Sequence, residues 1–242
     1  MAVRIGTWNL ERGGRARLTA ARQLKVIEAL ELDVLIATEP SPLLLATLGA
    51  VAAPAQRPGV HGPEAWVAVA GPNVEPAPVA VPYKRMAVAA LVSVPTGRLL
   101  VYGSVLPWRS APRHAPDIAL PGESPSAMFE RVLGDQERDI GTLRELNPNA
   151  IPIWAGDFNQ SLEGTNATGS RRGRHLLEAT LGRLGLEAWN RHSAHARDGA
   201  SAIDLVCGPV DLKVTDVKTF GPSVDRERLS DHAGYVVDVD LP

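Results

Sequence analysis

Two short polar segments contain the residue types that chemistry at a phosphate group requires. Gly156-Asp157-Phe158-Asn159 follows an apolar segment, and Ser230-Asp231-His232 precedes the last apolar segment. Mg²⁺ prefers a few carboxylate oxygens plus water and leaves room for a phosphate oxygen. A histidine beside carboxylates can stay protonated and stabilise phosphoryl charge, or transfer a proton. These residue types therefore indicate metal-dependent chemistry at phosphate.

The same pattern recurs where other predicted strands end. Asn9 and Glu11 follow the first strand, Glu39 follows the second, and Asp204 lies within a later one. Strand ends at one edge of a sheet can converge in space. The alternative is that polar residues follow strands only because loops are polar, but repetition at successive strand ends weakens that interpretation.

Motifs of other catalytic classes do not occur in the sequence. There is no Cys/His cluster of the kind that binds zinc, no Gly-rich P-loop and no Gly-x-Ser-x-Gly elbow. Cys207 is the one cysteine, so an intramolecular disulfide is excluded and packing is its expected role.

Length, composition and charge indicate one ordinary globular domain over residues 1–242. Hydrophobic residues make up 45% of the chain and charged residues 21%, and the formal net charge is −2. This charge does not indicate a long nucleic-acid footprint, although a nucleic acid remains open as the phosphoester substrate. Neither a signal peptide nor an apolar run of ~18 residues is present, so we expect no membrane association, a cytoplasmic location and a monomer.

Hydrophobic periodicity predicts an alternation of strands and helices that places these polar residues at strand ends. Strands are predicted at residues 3–8, 33–37, 66–70, 86–94, 98–106, 151–155, 202–207, 212–220 and 235–241. Long helices are predicted at 17–32, 129–143 and 174–184, with one short helix within 41–82. Glycines predict a turn at 13–14, and residues 108–125 and 166–173 are predicted as loops.

The sequence resembles the endonuclease/exonuclease/phosphatase superfamily, which includes pancreatic-type deoxyribonucleases, apurinic-site endonucleases, neutral sphingomyelinases and inositol-polyphosphate phosphatases. Five segments carry the resemblance, in this order: Thr7-Trp8-Asn9-Leu10-Glu11, Ala37-Thr38-Glu39, Gly156-Asp157-Phe158-Asn159, Ala202-Ile203-Asp204-Leu205 and Ser230-Asp231-His232. All five in order, spread over nearly the whole chain, make the resemblance specific. It implies an α/β fold, a four-layer sandwich of two mixed β-sheets flanked by helices.

The resemblance also implies a Mg²⁺ site, with Mn²⁺ as the alternative ion. Glu39 is implied as the main metal ligand. Glu11 or Asn9 would contribute directly or through water, and Asp231 would lie near this metal or a second metal position.

Catalytic roles follow from the same resemblance. Asp157 would orient or deprotonate the attacking water, and Asn159 would hold the water or a phosphate oxygen. His232 would contact the scissile phosphate and stabilise its additional negative charge, and Asp204 would orient His232.

Two departures from the family pattern leave the subfamily unassigned. Thr38 stands where glutamine usually precedes the glutamate, and Pro40 follows it. Many members carry a further histidine or tyrosine at the end of the middle strand, where this chain has Val105 and Leu106. Trp108 and Arg109 lie just beyond and are candidates to bind substrate in partial replacement of the missing group, with a merely solvated surface arginine as the alternative for Arg109.

The densest basic run follows the Asp157 motif, at Arg171, Arg172, Arg174 and His175. Binding of substrate phosphate, with Arg172 as its representative, and a solvated helix start are equally supported. His114, His192 and His195 are isolated in loop-like sequence and are expected at the surface.

The sequence as a whole favours an enzyme that hydrolyses a phosphoester bond, preferably a phosphodiester, by in-line attack of a metal-activated water. Nuclease and phosphodiesterase or phosphatase activities both remain open. The missing middle-strand group motivates the alternative, a weak or inactive ligand-binding protein on the same scaffold.

Overall fold

The computed structural model describes residues 2–12, 17–49, 51–52, 57–59, 62–164, 168–224 and 227–242. The turn predicted at residues 13–14 lies outside these ranges, and the loop predicted at 166–173 lies partly outside them.

The described residues form sixteen strands and five α-helices. The strands are β1 (Ala2–Asn9), β2 (Val34–Thr38), β3 (Val51–Ala52), β4 (Arg57–Gly59), β5 (Gly62–Glu64), β6 (Val67–Ala70), β7 (Val74–Pro76), β8 (Ala87–Val94), β9 (Gly97–Val105), β10 (Ile151–Asp157), β11 (Leu186–Ala188), β12 (Asp204–Pro209), β13 (Lys213–Phe220), β14 (Ser223–Val224), β15 (Glu227–Arg228) and β16 (Gly234–Asp240). The helices are α1 (Arg17–Ala29), α2 (Pro42–Leu48), α3 (Ala111–His114), α4 (Pro125–Leu146) and α5 (Arg171–Leu184).

Two six-stranded sheets organise the fold. Their strand orders are β13-β16-β1-β2-β6-β3 and β11-β12-β10-β9-β8-β7. Each contains one parallel pair, β1 with β2 and β9 with β10, whereas the other neighbouring strands are antiparallel. Both sheets are therefore mixed, as expected.

Alternating side chains on β2 show how the layers stack. Ile36 belongs to the core shared with the second sheet, whereas Leu35 packs in a separate cluster with Ala20 of α1 and Leu44 of α2. Successive side chains of a strand point to opposite faces, so one face of this sheet meets the other sheet and its opposite face meets helices. On the far side of the second sheet, α4 and α5 join the shared core. The result is the predicted four-layer α/β sandwich.

Several helix boundaries differ from the sequence predictions. Helix α5 begins at Arg171, three residues before the predicted start, because the Ser170 hydroxyl accepts a hydrogen bond from Gly173 N at 2.9 Å. Helix α1 ends at Ala29, before the predicted end. The segment predicted as a loop at 108–125 contains the single-turn helix α3.

The sheet topology brings the ends of several strands to one edge of the sandwich. Strands β1 and β2 run parallel, with Asn9 paired to Thr38 at their ends. Strand β10 ends where the antiparallel β12 begins, with Asp157 paired to Asp204. The two sheets therefore bring their polar strand ends to a common edge.

Within the described part of the chain, no helix has both the length and the apolar character needed to cross a membrane.

Candidate active site

A hydrogen bond between the two sheets forms the centre of the site. Asn9 at the end of β1 donates its Nδ2–H to Oδ2 of Asp157 at the end of β10, over 2.9 Å. Both side chains are buried, with relative exposures of 3%. Residues 148 positions apart are thus held together by an amide and a carboxylate.

The backbone around Asp157 depends on a glycine and on a left-handed residue. Gly156 has a φ of +135°, and a Cβ atom added there would lie 2.0 Å from the carbonyl oxygen of Ser104 on β9. Asn159, with φ +50°, donates its backbone N–H to Oδ1 of Asp157 at 2.9 Å. Its side-chain Nδ2 donates to the carbonyl of Leu106 at 3.0 Å. Both Asp157 oxygens therefore accept hydrogen bonds that fix the carboxylate.

His232 is held by Asp204 and by a serine. Its Nδ1 lies 2.6 Å from Oδ2 of Asp204, which is fully buried. The Ser230 hydroxyl donates to the carbonyl of Asn9 at 2.6 Å and accepts from His232 N at 3.1 Å. Since Nδ1 faces Asp204, the opposite ring nitrogen, Nε2, faces Asp231 at 3.8 Å.

The start of β12 is fixed by Asn190, which the sequence analysis did not single out. Asn190 Nδ2 donates to the carbonyl of Asp204 at 2.8 Å, and its Oδ1 accepts from Val206 N at 2.9 Å. Nothing in the local sequence indicates that this loop asparagine is buried and hydrogen-bonded to the backbone of β12.

The pKa values of Asp157 and His232 are both raised, but for different reasons. Burial, reinforced by the charge of Asp204, raises the pKa of Asp157 to about 7 against the opposing charge of His232. Burial alone would lower the pKa of His232, but the charge and hydrogen bond of Asp204 raise it to about 10. The site thus combines a carboxyl that titrates near neutral pH with a histidine that stays protonated there.

Glu39 lies beside this pair, at the end of β2. Burial raises the pKa of its carboxyl, which Arg12 opposes with Nε at 3.3 Å from Oε2. The charges of Asp231 and Glu11 raise the same pKa, so the three carboxylates predicted as metal ligands affect one another electrostatically. Carboxylate oxygens are ligands that Mg²⁺ and Mn²⁺ accept.

Glu11 and Asp231 differ from Glu39 in their surroundings. The Glu11 carboxylate accepts hydrogen bonds from Arg228 Nη2 at 2.5 and 2.6 Å, and its side chain is 41% exposed. Asp231 is exposed beside His232. The metal role of Glu11 would require release from Arg228, whereas Asp231 has His232 as a charged neighbour, with Nε2 at 3.8 Å from Oδ1.

The predicted substrate-binding residues lie in three different settings. Trp108 packs edge-on against Trp66 at 6.2 Å between ring centroids, and the Trp66 carbonyl accepts from Glu39 N. This places Trp108 on the Glu39 side of the site. Arg109 is exposed next to it. Arg172 lies on α5 and donates to Glu130 of α4 at 2.7 Å, in the outer helix layer, so the structure does not bring it to the central residues.

The middle-strand position lacks a polar side chain in the structure, as the sequence indicated. Val105 and Leu106 are both fully buried in the core. Cys207 is also fully buried, and burial raises the pKa of its thiol, so packing is its role.

His195 departs from the surface position expected from the sequence. It is half-buried, and its ring packs edge-on against His232 with 5.3 Å between centroids. Burial lowers the pKa of His195, as does the charge of His232. Its isolated position in the sequence gave no indication that the loop before β12 folds back onto the site.

Comparisons with known proteins agree with this geometry. The model of the Endonuclease/Exonuclease/phosphatase family matches residues 6–232. No curated protein sequence matches the chain.

Several solved structures superpose on nearly the whole chain. The endonuclease domain of TRAS1, a telomere-specific non-LTR retrotransposon, matches with a TM-score of 0.68 and 19% identity, over 100% of this chain and 99% of its own. The endonuclease/exonuclease/phosphatase from Bacteroides vulgatus gives 0.66 and 14%, over 100% of both chains. Truncated TDP2 from Caenorhabditis elegans gives 0.61 and 17%, over 100% and 98%. At these identities the structural likeness concerns the fold.

Proposed function

The chain belongs to the endonuclease/exonuclease/phosphatase family, and from this premise we propose that it hydrolyses a phosphoester bond, preferably a phosphodiester, with a divalent metal ion. One observation carries the proposal. Asp157, fixed by Asn9 and by the backbone of Asn159, lies in the same site as the hydrogen-bonded pair Asp204 and His232. A base and a protonated histidine are thereby available together for attack on phosphorus.

The metal ion would be held by Glu39, with Asp231 and Glu11 as the further carboxylates. The donor set fits in its chemistry because Glu39 is a buried carboxylate whose pKa is raised first by burial and then by the charges of Asp231 and Glu11, and a bound cation would offset both effects. When bound, Mg²⁺ or Mn²⁺ would neutralise negative charge on the phosphate and on the departing oxygen.

Asp157 is the proposed base for the attacking water. A carboxyl whose pKa is about 7 has a large ionised fraction near neutral pH and still accepts a proton readily. As the water oxygen attacks phosphorus in line with the departing oxygen, its proton passes to Asp157. Asn9 and Asn159 keep the carboxylate in position through the hydrogen bonds on its two oxygens.

His232 is the proposed donor to the phosphoryl group. Because Nδ1 is held by Asp204, Nε2 remains to donate to a phosphoryl oxygen. Its raised pKa keeps the ring cationic when additional negative charge develops in the transition state. Positioning by Asp204 and Ser230 limits the motion of the ring during this step.

The residues around the site limit the range of candidate substrates. Trp108 and Arg109 lie beyond the middle strand, where a ring or a second phosphate of a phosphodiester would be accommodated. The net charge of −2 favours a short contact over a long duplex footprint. Nucleolytic activity, as in the endonuclease domain of TRAS1, and hydrolysis of a smaller phosphoester are both consistent with these features.

The single domain, the monomeric state and the cytoplasmic location remain predictions.

The proposal is tested with purified protein assayed in Mg²⁺ and in Mn²⁺ against a generic phosphodiester, plasmid DNA, RNA and phosphoinositides. We expect turnover of at least one substrate. Asp157→Ala or His232→Ala should lower kcat about 100-fold or more with the fold retained. A folded protein that hydrolyses none of them, and that takes up no metal in calorimetric titration, would instead indicate a binding protein on this scaffold.

A further inference from the structure

Two buried polar atoms near the centre of the site lack hydrogen-bond partners among the described residues. They are Nε2 of His195 and Oδ1 of Asp204. A ring nitrogen of His195, a ring nitrogen of His232 and a carboxylate oxygen of Asp204 all lie within 4.8 Å of one another. Leaving buried polar atoms unpaired is costly, so a pair of such neighbours calls for an explanation.

The backbone determines which His195 nitrogen carries the proton in the neutral ring. The Arg197 N–H donates to Nδ1 of His195 over 3.0 Å. Since Nδ1 accepts this hydrogen bond, the hydrogen of the neutral imidazole is on Nε2. His195 Nε2 is therefore a donor, and Asp204 Oδ1 is an acceptor whose partner oxygen already holds His232. The two unpaired atoms are chemically complementary.

We propose that His195 is a positioning residue that donates its Nε2–H to Oδ1 of Asp204, directly after a small ring rotation or through one water molecule. Asp204 is then held between two imidazoles, with His232 on one oxygen and His195 on the other. This inference rests on the proposed function of the site. It assigns His195 the task of fixing the carboxylate that orients His232.

The same three side chains match a zinc site by residue type, but the hydrogen bonds oppose that assignment. Zinc requires a nitrogen lone pair directed at the metal. Nδ1 of His195 accepts from Arg197 N, and the resulting tautomer places a hydrogen on Nε2. Nδ1 of His232 lies 2.6 Å from Oδ2 of Asp204, a hydrogen-bond distance that leaves no room for a metal ion between the two atoms. The geometry thus favours a hydrogen-bonded chain of side chains over a metal centre.

Matched substitutions separate the donor from the bulk of the ring. His195→Phe keeps a ring and removes the donor, whereas His195→Gln places an amide N–H near the position of Nε2. We expect His195→Phe to lower kcat about 10-fold with KM changed less than about twofold, and His195→Gln to recover most of the loss. His192→Phe, at an exposed position of the same loop, is the control and should leave kcat unchanged.

A double substitution tests whether His195 acts through Asp204. In an Asp204→Asn background, His195→Phe should cause less than about a twofold further loss of kcat, because the carboxylate it positions is already absent. A full 10-fold further loss would overturn the inference, as would unchanged kcat in His195→Phe. Equal losses in His195→Gln and His195→Phe, with both proteins folded, would also overturn it.

A readout independent of turnover keeps this inference distinct from the proposed function. Ring ¹⁵N spectra of the metal-free protein should show His195 as the Nε2–H tautomer, with an Nε2 proton that exchanges slowly and shifts in Asp204→Asn. An Nδ1–H tautomer, or tight uptake of Zn²⁺ that is lost in His195→Phe, would overturn the assignment. If no substrate is hydrolysed but these spectra are as expected, the proposed function fails while the hydrogen bond stands.

Discussion

Asp204 is completely buried, and its charge raises the pKa of the neighbouring His232. Its Oδ2 holds Nδ1 of His232, and its backbone carbonyl is held in turn by Asn190. A buried carboxylate is costly unless it is paired and hydrogen-bonded. The charge of Asp204 therefore has two effects: it raises the pKa of His232 and contributes to raising that of Asp157.

Replacement of this carboxylate should expose its contribution to catalysis. We expect Asp204→Asn to lower kcat about 10- to 100-fold, since His232 loses both its orientation and the charge that keeps it protonated. Steady-state kinetics with whichever phosphodiester is hydrolysed provides the measurement. Asp211→Asn, in the exposed turn that follows β12, is the matched control. Equal kcat values for the two variants would contradict the assigned role.

The pH dependence of stability provides a test that needs no substrate. Burial lowers the pKa of His232, but the charge and hydrogen bond of Asp204 outweigh burial and raise this pKa from 6.5 to about 10. The folded protein therefore binds this proton more tightly than the unfolded chain does. The contribution to the free energy of unfolding is complete below the unfolded pKa of 6.5 and is lost as the pH rises through about 10.

Urea unfolding of the metal-free protein measures this loss. Between about pH 7 and pH 9, the free energy of unfolding should fall by roughly 1 kcal/mol per pH unit through His232. His232→Gln should show a flatter dependence over the same interval, because the titrating ring is absent. Parallel curves for the two proteins would show that the histidine is not held as a cation in the fold.

At the scale of the elements, strand β10 and the turn after it determine where Asp157 lies. Gly156 sits against the carbonyl of Ser104, at a φ that residues with a Cβ rarely adopt. Phe158 packs on Trp154 at 4.9 Å between ring centroids, which anchors the turn in the core. The Gly-Asp-Phe-Asn motif thus contains two residues with proposed catalytic roles, one that the backbone conformation requires and one that packs in the core.

Gly156→Ala should disrupt this turn. Positive φ alone costs about 1–3 kcal/mol, and the clash with Ser104 adds to it, so we expect a loss of at least about 3 kcal/mol of unfolding free energy. Gly141→Ala is the control, because a Cβ there meets no heavy atom within 4 Å. Within helix α4 that change should stabilise by about 0.5–1 kcal/mol. Thermal and urea unfolding of both variants make the comparison, and similar stabilities would contradict it.

Much of this arrangement could be predicted because it depends on local sequence. The apolar runs before Asn9, Glu39 and Asp157 are buried strands, and their polar ends do meet at one edge. Long-range contacts left no local signal. His195 and Asn190 belong to the segment before β12, and their burial depends on how that segment folds back against Asp204.

At the scale of the whole molecule, the two sheets contribute different parts of the site. Asn9 and Glu39 come from the first sheet, whereas Asp157 and Asp204 come from the second. The carboxylates proposed to hold the metal lie on or beside the first sheet. The proposed metal ligands and the proposed base therefore come from opposite sides of the interface between the two sheets.

Metal binding should stabilise the folded chain measurably. At a Mg²⁺ concentration about 100-fold above the dissociation constant, binding to the native state alone adds about 2.7 kcal/mol to the free energy of unfolding. We expect this increase in the wild type and its loss in Glu39→Gln. Glu75→Gln is the control: Glu75 lies exposed on the edge strand β7, where it pairs with Arg98, and this variant should respond like the wild type. An equal response in Glu39→Gln would place the ion elsewhere.

The hydrogen bond between Asn9 and Asp157 should make the proposed chemistry sensitive to sliding of one sheet over the other. Hydrogen bonds weaken steeply once their short distances and alignment are lost, whereas the apolar contacts between the sheets tolerate small displacements. Mild heating or dilute denaturant should therefore inactivate the protein before it melts, since a lateral slip far too small to expose the core already separates the amide from the carboxylate.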